Sequence, residues 1–208
     1  MRSILVLALF VSVLVAPLSM AQPREIAPEA SAVRPLLNGM TIPNVTVKLA
    51  DGSPVSLAAL TMQKPTVILF YRGGWCPYCN RQFAELQTVE QDIIDLGYQI
   101  LAISPETPEN LQKQALKTEM KVTQLSDTDL NAIREFGLGF HVDKVTQMRY
   151  AANNINLAKD VDGKAVLPAP GVFIVNPKGQ VEFSYVNPDF KVRPSAELIL
   201  NVAKVLAK

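Results

Sequence analysis

The chain has 208 residues, of which 49% are hydrophobic and 19% charged, and its formal net charge at pH 7 is +1. This length and composition are typical of one domain with its own apolar core. Because acidic and basic residues are balanced and scattered, the composition argues against nucleic acid and against an anionic membrane surface as binding partners.

The N-terminal segment has the pattern of a secretory signal peptide. A positive start precedes the apolar run 4–15, Pro17 breaks that run, and Ser19 and Ala21 are small residues that a signal peptidase reads. We therefore expect residues 1–21 to be removed during export to the periplasm or outside the cell. The run is short for a membrane span, so no stable membrane association is expected after cleavage. An uncleaved anchor in the inner membrane is the alternative.

Residues 22–40 contain three prolines among polar residues, which predicts an extended N-terminal arm ahead of a domain at 41–208. Apolar residues alternate over 45–49 and again from 55 to 57, on either side of the Asp-Gly pair at 51–52. This alternation around a turn signal predicts a β-hairpin.

A continuous apolar and β-branched run at 66–71 predicts a strand that is buried on both faces of a sheet. Apolar residues at helical spacing then predict one helix from Cys76 or Pro77 to about Leu96. Gly97 stands where a helix terminator is expected.

The rest of the chain continues the alternation of strands and helices, which predicts an α/β fold with a central mixed β-sheet flanked by helices. Weak periodicity at 138–166 predicts an insertion with some helix, and Asp189 and Arg193 are expected to pair after the last strand. The remaining predicted elements are strands at 98–103, 122–125, 172–175 and 181–186, and helices that start at Thr107, at Asp127 or Thr128, and at Pro194.

The only two cysteines, Cys76 and Cys79, are three positions apart. Cysteines of exported proteins usually cross-link distant loops, but a bond between these two closes too small a loop to add much stability. Redox reactivity explains the pair better, and a structural disulfide is the alternative. A structural zinc site needs four ligands, and the chain has one histidine, His141, so we predict no metal.

The position of the pair at a helix start has a chemical consequence. Cys76 is expected at the N-cap and Pro77 at the first helical position, so that first-turn N–H groups and the helix dipole favour the Cys76 thiolate. Cys79 lies one turn further on the same face and is predicted to be the resolving thiol. Arg72 is a candidate to stabilise the thiolate or to bind a leaving oxygen.

Four further residues are candidate substrate contacts. Trp75, Pro77 and Tyr78 surround the cysteines in the sequence, and Trp75 is also expected to shield the thiols. Pro170 stands just before the predicted strand 172–175, where a proline in a fold of this class is often cis. We therefore predict a cis bond at Pro170, which would bring a backbone edge beside the thiols for a substrate chain to pair with.

Residues 70–79, 102–106, 167–175 and 186–190 resemble the peroxiredoxin-like branch of the alkyl hydroperoxide reductase and thiol-specific antioxidant family. The similarity extends over about residues 36–207. It implies a thioredoxin-like fold and an antioxidant, peroxide-reducing activity.

Under this resemblance, Cys76 corresponds to the peroxidatic thiol. The chain departs from the better-known peroxiredoxins at three points. Gly73 stands where those enzymes have a Thr or Ser, and Pro170 stands where they have an Arg. In those enzymes the Thr or Ser and the Arg bind and polarise the peroxide. The third departure is that there is no distant resolving cysteine. Arg72 is a candidate to replace that Arg. Pro170 and the Cys-Pro-Tyr-Cys sequence look instead like those of thioredoxins and glutaredoxins.

Three hypotheses follow. The first is a peroxidase in which Cys76 and Cys79 cycle between dithiol and disulfide, with no other cofactor and with an external thiol reductant such as a thioredoxin-like protein. The second is a periplasmic thiol:disulfide oxidoreductase whose substrate is a protein disulfide. The third is a non-catalytic redox-sensing module.

Overall fold

The computed structural model describes residues 24–115 and 121–207, so the predicted signal peptide lies outside the described residues. Helices and strands alternate along this part of the chain. The strands are β1 (Thr46–Lys48), β2 (Pro54–Ser56), β3 (Thr66–Phe70), β4 (Gln99–Ser104), β5 (Thr123–Ser126), β6 (Gly139–His141), β7 (Val166–Pro168), β8 (Gly171–Val175) and β9 (Val181–Val186).

Seven short α-helices connect and cover the strands in the described residues, and none of them is long and apolar enough to cross a membrane. They are α1 (Leu57–Thr61), α2 (Pro77–Gln87), α3 (Glu90–Asp95), α4 (Pro108–Ala115), α5 (Asn131–Glu135), α6 (Lys144–Ala152) and α7 (Ala196–Leu206).

Seven strands form one sheet in the order β2-β1-β5-β4-β3-β8-β9, and β6 pairs with β7 separately. Strands β3, β4 and β5 are parallel neighbours, whereas β8 runs antiparallel to β3, so the sheet is mixed as predicted. All five residues of β3 are buried. Val67 and Leu69 pack in a cluster with α2, α3 and α7, and Ile68 and Phe70 pack on the opposite face with α1 and α5. The predicted α/β fold class is confirmed.

The helix predicted to run from the cysteines to about Leu96 is wrong in its length, because α2 ends at Gln87 and α3 starts at Glu90. At the break, the Thr88 hydroxyl donates to the Glu85 carbonyl at 2.7 Å. A hydroxyl that bonds the backbone competes with the helical hydrogen-bond pattern, and the next residue leaves helical geometry. The helix that follows Cys76 is therefore an eleven-residue element.

The N-terminal arm packs along β6. The Ala27 N–H donates to the Gly139 carbonyl and the His141 N–H donates to the Ala27 carbonyl, each at 2.9 Å. Beyond β6, α6 lies within the segment predicted to be an insertion, and it carries Tyr150 to the side of the sheet where the cysteines lie.

Candidate active site

The two cysteines lie where β3 gives way to α2. Cys76 is the N-cap residue and Pro77 is the first residue of the helix, as the motif predicts. Both cysteines are free thiols and both are 0% exposed. They are buried in a small cluster that includes Tyr71 and Leu111.

The two thiols have opposite electrostatic environments. Cys76 and Cys79 pack in the same buried cluster, and a hydrogen bond from the neighbouring Cys79 thiol is the main cause that lowers the pKa of Cys76. The same contact, together with burial, raises the pKa of Cys79. The stabilisation of Cys76 by first-turn N–H groups is weaker than predicted. The Cys76 side chain closes no capping hydrogen bond, and the Cys79 N–H lowers the pKa of Cys76 less than the Cys79 thiol does. Of the two thiols, Cys76 is therefore the more readily ionised.

Arg72 lies among three aromatic rings beside the thiols. Its guanidinium carbon is 4.1 Å from the Phe190 ring centre and 5.2 Å from that of Trp75, and Nη2 donates to the Tyr150 hydroxyl. The side chain is 5% exposed and its Nε has no partner. Its positive charge makes a further, smaller contribution to lowering the pKa of Cys76. The rings restrict the guanidinium to this place.

Arg193 also reaches the thiols. Its Nη2 is 3.4 Å from Cys79 Sγ, Nη1 donates to Gln82 Oε1 at 2.8 Å, and Nε donates to the Phe190 carbonyl at 2.8 Å. The predicted pairing with Asp189 is therefore wrong, since that carboxylate accepts the N–H of the residue two positions further on, at 3.0 Å. The local sequence suggested that Arg193 pairs with Asp189 across one turn, but Arg193 instead contacts Cys79, which lies 114 positions away in the sequence.

The three candidate substrate contacts next to the cysteines differ in exposure. Trp75 is partly buried and its Nε1 donates to Glu106 Oε1 at 2.9 Å. Tyr78 is partly buried and meets the Phe190 ring edge-on at 5.5 Å. Pro77 is exposed. Trp75 and Tyr78 thus form part of the cover over the sulfurs, which sequence reasoning expected for Trp75 alone.

The prediction of a cis bond at Pro170 is wrong, because every described peptide bond is trans. The chain enters β8 in extended form: Pro168 pairs with Gly139 in the small sheet, and the Ala169 N–H donates to the Leu138 carbonyl at 2.9 Å. These strand contacts leave no tight turn that would favour cis. The Pro170 carbonyl accepts the Asn187 N–H at 3.4 Å, so this backbone edge is used within the fold.

No group of three or more His, Cys, Asp or Glu side chains with metal-binding geometry occurs among residues 24–115 and 121–207. The one histidine pairs its Nε2 with Asp160 Oδ2 at 2.7 Å.

Comparison with known sequences decides the family. The sequence model described as "AhpC/TSA family" matches residues 39–184. The chain belongs to the AhpC/TSA family. It is 27% identical over 132 residues to peroxiredoxin Bcp of Escherichia coli (strain K12), and the aligned segment covers 64% of this chain and 84% of that protein. It is 31% identical over 106 residues to the putative peroxiredoxin bcp of Haemophilus influenzae, covering 51% and 68%.

Solved structures of other proteins share the fold of this AhpC/TSA chain. Reduced Prx3 of Vibrio vulnificus in complex with H₂O₂ superimposes with a TM-score of 0.67 at 15% identity, over 81% of this chain and 99% of that one. Xanthomonas campestris peroxiredoxin Q gives a TM-score of 0.63 at 19% identity, over 82% and 99%. The expected thioredoxin-like fold and the expected enzyme class, a thiol-dependent oxidoreductase, are confirmed.

The AhpC/TSA chain has its own arrangement at Gly73, where the family resemblance leads us to expect Thr or Ser. Gly73 has φ +143°, and a Cβ there would lie 2.6 Å from Glu106 Oε1 and in contact with the Trp75 indole nitrogen. The Trp75–Glu106 hydrogen bond therefore fills the space that a side chain would need. Burial raises the pKa of Glu106. Glu106, Tyr150 and Arg193 also lie at the site, and no spacing relative to the cysteines predicts any of them there.

Proposed function

We propose that this protein reduces hydroperoxides through a dithiol–disulfide cycle of Cys76 and Cys79. The observation that carries the proposal is the packing of the two buried thiols in one cluster at the start of α2, where Cys76 is the more readily ionised of the two. The Cys76 thiolate attacks the outer peroxide oxygen, an S–O bond forms and the O–O bond breaks. Cys76 is oxidised to a sulfenic acid, and the leaving alkoxide or hydroxide takes a proton to become an alcohol or water.

Cys79 then resolves the sulfenic acid within the same chain. Its sulfur attacks Cys76, the S–S bond forms, and the S–O bond breaks. Hydroxide leaves and takes the proton that Cys79 has lost, which gives water. An external dithiol, such as that of a thioredoxin-like protein, reduces the disulfide by thiol–disulfide exchange, so that the disulfide itself is the only redox group required.

Arg72 is the residue we assign to the peroxide. Its guanidinium is fixed by aromatic rings and its charge favours the Cys76 thiolate. A cation beside the reacting sulfur also stabilises the negative charge that develops on the departing oxygen. In this role it would replace the arginine that the family resemblance places at Pro170.

Thiol:disulfide exchange is the second candidate, and Gly73 favours it. The missing hydroxyl at this position removes one peroxide contact, and the Trp75–Glu106 hydrogen bond leaves no room for another side chain. In contrast, the complete burial of both sulfurs favours a small peroxide as the substrate. A protein disulfide would reach them only if the backbone of the substrate protein came close to the sulfurs. A redox-sensing module without turnover has no observation of its own in its favour.

Two substrates offered under one thiol donor separate these candidates. We expect the wild type to consume peroxide faster than it reduces insulin disulfides, and Cys76→Ser to abolish both reactions. Cys79→Ser should accumulate a sulfenic acid on Cys76 after one equivalent of peroxide, detected by intact mass. Peroxide loss no faster than with Cys76→Ser would refute the peroxidase, and trapped mixed disulfides with protein substrates would identify the exchange enzyme.

We also propose that the protein acts outside the cytoplasm, after removal of residues 1–21. The support is the leader pattern in the sequence, which precedes the family match at 39–184. Expression of the full chain in a Gram-negative host should yield a periplasmic protein whose mass corresponds to cleavage after Ala21. A full-length chain that stays with the inner membrane would instead identify a signal anchor.

A further inference from the structure

The Arg193 guanidinium is held at the Cys79 sulfur by two other hydrogen bonds. Nη1 donates to Gln82 Oε1 and Nε donates to the Phe190 carbonyl, both at 2.8 Å, while Nη2 lies 3.4 Å from Cys79 Sγ. Gln82 follows Cys79 on α2 and is 7% exposed. The charge cannot leave the sulfur without breaking both of the other bonds.

In the proposed cycle, negative charge forms on Cys79 twice. Cys79 attacks the Cys76 sulfenic acid as a thiolate, and it leaves as a thiolate when a reductant attacks Cys76 in the disulfide. The neighbouring Cys76 sulfur and burial oppose that charge and raise the pKa of Cys79, whereas Arg193 acts in the opposite direction. Arg193 is therefore placed at the thiol that most needs a cation.

We propose that Arg193 is a catalytic residue that stabilises the Cys79 thiolate when Cys79 closes the disulfide and when it leaves during reduction. This inference rests on the proposed dithiol cycle. Arg193 lies on the segment after β9, beyond the residues 39–184 that match the family, so the contact comes from a part of the chain outside that match.

Single-turnover oxidation tests the proposal. Reduced protein is mixed with one equivalent of hydrogen peroxide, quenched with a thiol-alkylating reagent and analysed by intact mass. In Arg193→Met, we expect the loss of free Cys76 to stay within about twofold of the wild type and disulfide formation to slow at least about tenfold, as the loss of a hydrogen bond to a charged group implies. Excess peroxide should then add further oxygen to Cys76.

Two other variants separate charge from packing. Arg193→Lys keeps the cation and should recover part of the rate of disulfide formation. Lys191→Met removes an exposed charge two positions before Arg193, with its Nζ 6.0 Å from the Phe190 ring centre, and should behave as the wild type. Equal slowing of Cys76 oxidation and of disulfide formation in Arg193→Met, or unchanged disulfide formation, would overturn the proposal.

A second measurement does not depend on peroxide. The disulfide is formed with a chemical oxidant and then reduced with dithiothreitol, and we expect Arg193→Met to be reduced at least about tenfold more slowly than the wild type. If wild-type Cys76 does not react with peroxide, the proposed function fails while this rate still decides the role of Arg193. An unchanged reduction rate would remove the leaving-group role even if peroxide turnover is present.

Discussion

At the scale of residues, two chemically identical side chains of the candidate site have pKa values shifted in opposite directions. Cys76 and Cys79 are both fully buried, yet their mutual contact lowers the pKa of one and raises that of the other. Two arginines lie near the thiols: Arg72 stands among aromatic rings and Arg193 contacts Cys79, and both positive charges lower the pKa of Cys76. The two arginines come from opposite ends of the domain sequence.

The pH dependence of the first chemical step follows from the lowered pKa of Cys76. Only the thiolate attacks peroxide, so the rate constant should be level at high pH and should fall as the pH drops through the pKa of Cys76. We expect the midpoint in the wild type to lie below about 8.5, the value for an ordinary cysteine. Stopped-flow measurement of Cys76 oxidation across pH checks this, using the tryptophan next to it as reporter.

A matched pair of variants identifies the hydrogen-bond donor as the cause. Cys79→Ser keeps a donor at position 79, and Cys79→Ala removes it. The alkylation rate of Cys76 should therefore show a lower midpoint in Cys79→Ser than in Cys79→Ala. Equal midpoints in the two variants would contradict the assignment of the Cys79 thiol as the main cause.

At the scale of elements, side chains that hydrogen-bond to backbone groups at the helix ends set where short helices begin and end. The break between α2 and α3 follows a threonine hydroxyl bonded to the backbone, and α5 begins over a buried carboxylate. In α5, Asp127 Oδ1 accepts the Ala132 N–H at 3.1 Å and Oδ2 accepts the Ile133 N–H at 2.7 Å. Asp127 itself is 2% exposed.

Replacement of Asp127 should destabilise the fold in proportion to the acceptors lost. Asp127→Ala leaves two buried N–H groups without partners, which we expect to cost about 1–3 kcal/mol in the free energy of unfolding. Asp127→Asn keeps one acceptor oxygen and should lose less. Urea denaturation followed by circular dichroism measures both variants, and equal losses would contradict this account of the cap.

The same carboxyl makes stability depend on pH. Burial raises the pKa of Asp127 to about 7, above its value of about 3.9 in the unfolded chain. The native state therefore holds the proton more tightly, and this contribution to stability should be lost as the pH rises from about 4 to about 7. Asp127→Asn has no titrating group here, so its urea midpoint should vary less with pH over that interval.

At the scale of the whole molecule, the active site is assembled from segments that are distant in the sequence. The cysteines come from the start of α2, Tyr150 comes from α6, and Phe190 and Arg193 come from the segment after β9. The N-terminal arm packs on β6, next to the segment that carries α6. Changes far from the cysteines can therefore alter the surroundings of Arg72.

Local sequence patterns predicted several of the elements and the position of the two cysteines at a helix start. The buried run at 66–71, the Asp-Gly hairpin and the helix start at Cys76 each depend on local propensity or on periodicity, and each is found in the structure. Local patterns sufficed because strand burial, turn geometry and helix capping depend mainly on neighbouring residues.

The tertiary structure alone sets which groups surround the two sulfurs. It placed Arg193 on Cys79 rather than on Asp189, filled the space at Gly73 with the Trp75–Glu106 hydrogen bond, and kept Pro170 trans. These outcomes depend on contacts between residues up to 114 positions apart, and on strand pairing that holds the chain extended before β8. Spacing along the sequence carries no information about such contacts, because packing of the sheet and its helices creates them.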